Sequence, residues 1–327
     1  MISGRARLAL ALVVLGPLGG AAWLASRGSA HGGEAAATER WTSSAQCAGC
    51  HPQVYAEWKG SHHQIAYLNP EVRKLSDDFK NKECQACHLP RPVFVTGLGN
   101  RTLPRVTRPD EGVDCLTCHL SADGAILGRR ARPDVPCAPR ADAGVVAVEM
   151  CQSCHNQHKT TDQWRASGFA EQGKDCASCH MLEAARPGTA SGKGRSHVYP
   201  GAHDEEMLRA ASRLDVARDG EQLVVTVKNV AAGHNFPTEE RHRAVDIVVR
   251  FEPSAGNEWE RLFRFRQPYR DEPGENTQLP AGHSHVERVW IPKGKTRATV
   301  RLWYRLNPYA VDGDGASTLL FERPVDL

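Results

Sequence analysis

Five short stretches decide how this chain must be read: Cys47-Ala-Gly-Cys50-His51, Cys84-Gln-Ala-Cys87-His88, Cys115-Leu-Thr-Cys118-His119, Cys151-Gln-Ser-Cys154-His155 and Cys176-Ala-Ser-Cys179-His180. They use ten of the 11 cysteines and five of the 15 histidines in 327 residues. A shuffled chain of this composition would hold roughly 0.02 such pentads, so five mark a real pattern, that of covalent haem c attachment. The spacing follows from the chemistry. Two thiols three positions apart reach the two vinyl groups of one porphyrin and form thioethers, and the next residue points its imidazole at the iron. A thioredoxin-like dithiol or half a zinc site leaves the histidine after every pair unexplained. A disulfide framework does not require it either. The expectation is five haem groups, with His51, His88, His119, His155 and His180 as proximal ligands.

Around the pentads the composition is rich in Cys, His, Pro and Gly, and apolar periodicity is poor. In residues 31–211 the haem groups themselves must serve as the core, with short helices at the pentads and long irregular links. Pro-rich pieces at 101–110 and 132–139 read as loops. From residue 212 the pattern changes to strict alternation. Segments 214–216 and 222–230 flank Asp219-Gly220, a hairpin signal. Further strands are expected at 244–251, 258–265, 285–291 and 297–306. The expected fold is a haem-packed, mostly irregular and α multihaem domain (31–211), followed by an all-β sandwich domain (212–327) that contains no cysteine. Only the second half has enough apolar sequence to bury a core without cofactor.

The N-terminus reads as an export segment: Arg5 and Arg7, an apolar run from 8 to 25, then Gly28-Ser29-Ala30. Residues 1–30 are a signal peptide, with His31 as the mature start, or an uncleaved N-terminal membrane anchor; Gly16, Pro17, Gly19 and Gly20 interrupt the run. Either way the expected location is periplasmic or extracellular. The formal charge of +3 is carried by Arg5, Arg7 and Arg27 within that segment, which leaves the remainder neutral before propionates are added. The many arginines are expected to meet propionates. Nothing in this balance points to nucleic acid.

Each iron has a second axial position, and ten histidines lie outside the pentads. The run from His51 through Tyr55, Trp58 and Ser61-His62-His63 to Ala66 resembles the first haem segment of the nitrifier tetrahaem cytochrome c superfamily. In that family Tyr, Trp, Ser-x-His and Ala follow the pentad, so the resemblance implies His63, not His62, as a distal ligand. If 51–63 is one helix, His63 lies ~18 Å from His51 along the axis and must serve a neighbouring haem. Gly112-Val113-x-Cys115 and the closing Cys-His-Met at Met181 also fit the family. Arg195-Ser-His197 and Gly201-Ala-His203 resemble its Arg-x-His and Gly-x-His segments, which implies His197 and His203 as distal candidates. Gly233-His234-x-x-Pro237-Thr238 resembles a segment found where multihaem domains carry a C-terminal β-domain, with Glu239 replacing a glycine; it implies His234. His158 is a candidate because it follows His155 by three residues. Phe169 stands where a second Trp-x-x-Ser segment (Trp164 to Ser167) would place a histidine. His242, His283 and His285 read as surface residues, and Cys137 as a leftover thiol, buried or in an intermolecular link.

The function this implies is electron transfer by mostly bis-His haems, with other redox proteins as partners: donor and acceptor cytochromes or a quinol-oxidising membrane complex. Two alternatives stay open. One is an oxidoreductase acting on nitrogen or sulfur oxyanions at one open haem, at His88 or His119, although the Cys-x-x-Cys-Lys site of pentahaem nitrite reductases is missing. The other is a self-assembling, haem-lined filament subunit.

Overall fold

The computed structural model describes residues 40–327 apart from 190, 239–241, 255, 257 and 269–271. The expected export segment, His31 and Glu239 lie outside the described residues. Among the described residues no helix is long and apolar enough to cross a membrane.

Up to residue 204 the chain is built from helices of at most eight residues, joined by loops. Each is short for a local reason. Pro52 opens the helix Pro52–Lys59 and Gly60 closes it, so His62 and His63 lie in the turns beyond. The continuous 51–63 helix considered above does not form, and its axial separation does not apply. The helix Val148–His155 ends on its pentad histidine and passes into a 3-10 turn, Asn156–His158, stopped by Lys159 at φ +70°. Buried apolar side chains are sparse here: Trp58, Phe79, Leu89, Val93, Leu116, Leu120, Leu127 and Met150 among them.

The continuous apolar core lies entirely at and beyond Leu208. Small strand pairs β1 (Leu127–Gly128) with β2 (Arg140–Ala141), and β3 (Glu183–Ala185) with β4 (Lys193–Arg195), decorate the first half. The second half contains β5 (Ser212–Asp219), β6 (Gln222–Asn229), β7 (Ala244–Glu252), β8 (Glu260–Phe265), β9 (Ser284–Trp290), β10 (Arg297–Arg305) and β11 (Ser317–Asp326). They form two antiparallel sheets, β5-β6-β9 and β11-β10-β7-β8. Gly220 at φ +61° makes the β5–β6 turn, as the Asp-Gly signal requires. Alternate residues from both sheets meet in one core: Leu223, Val225 and Val227 from β6 face Val245, Ile247, Val249, Val300 and Leu302.

Strand β11 was not among the expected strands, and it contains Pro324. It is tolerated because β11 is the edge of its sheet, where a missing N–H costs no ladder bond on the open side. The other face of the four-stranded sheet is also covered. There Asp246, 1% exposed, accepts from Arg264 and Arg305. Burial pushes that carboxyl up, but hydrogen bonds and charge from the two guanidiniums outweigh it and hold it below the usual carboxylate range.

The helix Glu205–Ala211, capped by Asp204, precedes β5 yet belongs to this core. Leu208 and Ala211 are buried in it, and Arg209 donates to the carbonyls of Leu319 and Leu320. A haem-free fragment spanning residues 204–327 should therefore fold as a cooperative β-protein. One spanning 212–327 should be less stable by at least about 2 kcal/mol, since it loses the Leu208 side chain from the core. Paired denaturant titrations followed by far-UV circular dichroism test this; equal midpoints would contradict it.

Candidate functional site

The third and fifth pentads fold by the same device. Asp114 caps Cys115–His119 and Asp175 caps Cys176–His180, each in a reciprocal capping box with Thr117 or Ser178. A tryptophan then pins each approach: Trp58 Nε1 donates to Val113 O and Trp164 Nε1 to Lys174 O, both at 2.8 Å and both to the residue before the capping aspartate. Ser61 and Ser167 close the two turns on Trp58 O and Trp164 O at 2.7 Å. The thiols follow the same plan, since Cys47 meets Cys115 and Cys151 meets Cys176. Residues 47–119 and 151–180 are thus two copies of one two-pentad unit, and the second pentad is an addition within the first copy. It attaches elsewhere: Cys87 meets Cys154. Burial pushes the Cys118 thiol up to about 12.

All five pentad histidines and eight of the ten pentad cysteines line one continuous cavity of about 2640 Å³. That is several times the roughly 300–1,000 Å³ of a single-ligand pocket. The histidines predicted as distal ligands, His63, His158, His197, His203 and His234, line it too, as do His62 and His242. Across it the ring centres of His63 and His155 stand 6.1 Å apart, and those of His180 and His234 stand 6.3 Å apart and nearly parallel, at 11°. Two imidazoles trans across one metal, each bound at roughly 2.0–2.1 Å, place their ring centres roughly 6 Å apart. Both gaps therefore fit an iron. His197 lies within electrostatic reach of His119. His203 instead stacks face to face on His62 at 3.8 Å, too close for a metal between them.

Second contacts orient these rings. Nδ1 of His88, His119 and His180 meets the carbonyls of Ala66, Leu127 and Pro200 at 2.7–2.9 Å. Nδ1 of His197 and His234 meets Arg195 O and Asn235 O at 3.1 and 3.0 Å. A proton held on Nδ1 by a carbonyl selects the tautomer whose Nε2 can ligate. Burial also drives His119 and His197 down, the latter to about 4, and so holds them in the neutral form a metal needs. The residues present fit haem c.

Several supports were not legible in the sequence. Glu57 accepts from the His197 backbone N–H at 2.9 Å and from Arg186 at 2.6 Å, which ties the segment around β3 and β4 to the Pro52–Lys59 helix. Tyr199, at φ +52°, packs its ring 4.2 Å from His63 and 5.7 Å from His197. The loop after β6 is fixed by Asn229 to His234 O, Ser167 to Gly233 O, and Asn235 and Thr238 to Gln163. Phe169, in the position without a ligand histidine, packs on Gly233 next to His234. Cys137 is half-buried, near Cys47. His285, expected at the surface, is half-buried: its ring lies 3.9 Å from that of Phe263, tilted by 33°, and it contacts Glu287.

Residues 46–120 match the family model for cytochrome c554 and c-prime. Over that segment, which holds the first three pentads, the chain resembles multihaem c-type cytochromes. The chain is also similar in structure to a penta-haem cytochrome c552 from Thermochromatium tepidum. The TM-score is 0.64 at 20% identity, over 87% of this chain and 98% of that one. A match to a superoxide reductase, over 36% of this chain and 86% of that one, has a TM-score of 0.20 at 12% identity and implies no shared architecture. No curated protein matches the chain in sequence.

The approach to its third pentad rests on a buried ion cluster. Arg105, 6% exposed, donates to the carbonyls of Pro90 and Gly112 at 2.6 Å and of Thr107 and Arg108 at 3.0 and 3.2 Å, beside fully buried Asp114. Arg105→Met should lower unfolding free energy by about 1–3 kcal/mol, because it leaves these buried carbonyls without their donor, while Asp114 keeps Arg108 at 2.9 Å. Thermal unfolding of the holoprotein measures this; a loss below about 0.5 kcal/mol would be that of an ordinary surface substitution.

Proposed function

We propose that this chain carries electrons outside the cytoplasmic membrane on five covalently attached haem c groups, one at each pentad. The observation that carries this is the pair of imidazole separations near 6 Å, His63 with His155 and His180 with His234. Haem would supply a one-electron iron couple, and an iron held by two of these imidazoles would offer no site to a substrate. In this reading His63 is the distal ligand opposite His155, His234 is opposite His180, and His197 is opposite His119. Thioethers form at Cys47 and Cys50, Cys84 and Cys87, Cys115 and Cys118, Cys151 and Cys154, and Cys176 and Cys179.

The remaining parts of the chain have supporting roles. The capping aspartates and the Trp58 and Trp164 clamps hold the pentad helices rigid, which keeps the geometry alike in both oxidation states. The β-domain, a haem-free sandwich, presents His234 to the fifth pentad. Residues 1–30 direct export to the compartment in which haem c is attached. Redox partners follow from one-electron carriage: donor and acceptor cytochromes or a quinol-oxidising membrane complex.

Two measurements test the reading. Denatured, matured protein should retain five haems by intact mass; four would show an unused pentad. His63→Ala and His234→Ala should each convert one haem in five to high spin, and the double variant two, by electron paramagnetic resonance of the oxidised protein. The potential of each opened haem should rise as a strong-field imidazole is lost. His62→Ala should leave all spin states unchanged. A fully low-spin His63→Ala protein would remove His63 as a ligand.

A further inference from the structure

We infer that Gly112 and Val113 are the positioning residues that keep His63 facing His155. This rests on the reading of His63 as the distal ligand opposite His155.

The strap that carries His63 lies against the residues just before the third pentad. Gly112 adopts φ +47° and ψ −121°, a conformation that L side chains rarely take. A Cβ built there would fall on the carbonyl oxygens of His63 and Gln64 and stand 3.0 Å from Ala66 N. All three are backbone atoms of the strap, so no side-chain rotation could relieve the clash. Val113 completes the contact from both sides of its peptide. Its N–H donates to His63 O at 2.8 Å, and its carbonyl accepts Trp58 Nε1 at 2.8 Å. Gln64 Nε2 adds a bond to Asp110 O at 2.5 Å. The next residue, Asp114, is the N-cap of Cys115–His119.

His63 follows the Pro52–Lys59 helix by a turn and is not within a regular element. Its ring separation from His155 is therefore set by where Gly112-Val113 lets the strap sit. The ligand opposite the fourth pentad is suspended from the approach to the third, and displacement of one must displace the other.

The test uses the full chain, matured with haem. Gly112→Ala should push the strap outward and give one high-spin haem equivalent. That signal should match the one from His63→Ala and return to low spin when free imidazole is added. Gly220→Ala, also at positive φ but with nothing within 4 Å of an added Cβ, should stay low-spin. Should Gly112→Ala fail to mature, Trp58→Phe keeps an aromatic side chain but removes the pyrrole half of the indole with the N–H that Val113 accepts. It should speed carbon monoxide binding to the reduced protein roughly fivefold, the effect of losing one hydrogen bond that holds His63 on the iron. A low-spin Gly112→Ala protein beside a high-spin His63→Ala protein would overturn the positioning role and leave the ligand assignment standing. In the absence of matured Gly112→Ala, an unchanged rate in Trp58→Phe would do the same. If His63→Ala itself stays low-spin, the ligand assignment falls and this inference falls with it.

Discussion

Haem held as proposed above would need an imidazole on each side of a flat macrocycle, at a separation fixed by two metal–nitrogen bonds, and two pairs of histidine rings meet that requirement. The gaps between His63 and His155 and between His180 and His234 are of that size. The rings stay apart because their backbones are held from elsewhere: His180 through Pro200, His234 through Asn229 and Asn235, and His63 through Val113.

The same constraint accounts for the sparse secondary structure. A pentad needs only one helical turn to aim two thiols and an imidazole, and a longer helix would carry the chain away from the group it must enclose. Local hydrogen bonds therefore replace helix length. Asp114 and Asp175 satisfy the first N–H groups of their helices, and Trp58 and Trp164 fix the preceding carbonyl. The repetition of this set in two copies gives the first half a regularity that its loops conceal. The two copies differ where it matters for ligation: His63 completes a pair in one, and Phe169 only packs in the other.

The β-domain is stable on different grounds. Its two sheets bury a continuous aliphatic core, and β7 is covered on both faces, where the Arg264–Asp246–Arg305 cluster replaces apolar contact. That rigidity is useful to the haem half. The loop after β6 reaches back to Gln163 and Ser167, so His234 is held from both halves of the chain.

Chemistry confined to a few adjacent residues was legible without coordinates. The five pentads, the Asp-Gly turn at Gly220 and the alternation of β6 and β7 each declare themselves within about ten residues. What lay beyond was decided by contacts between distant segments, which no local pattern records. The partner of each pentad histidine depends on which loops meet across the cavity, and no local pattern foretold that the His203 ring stacks on His62. Glu57, Tyr199 and Gly112 gain their roles only from neighbours that folding brings to them. β11 contains a proline, which is forbidden inside a sheet and permitted at its edge, and strand order is a property of the tertiary structure alone.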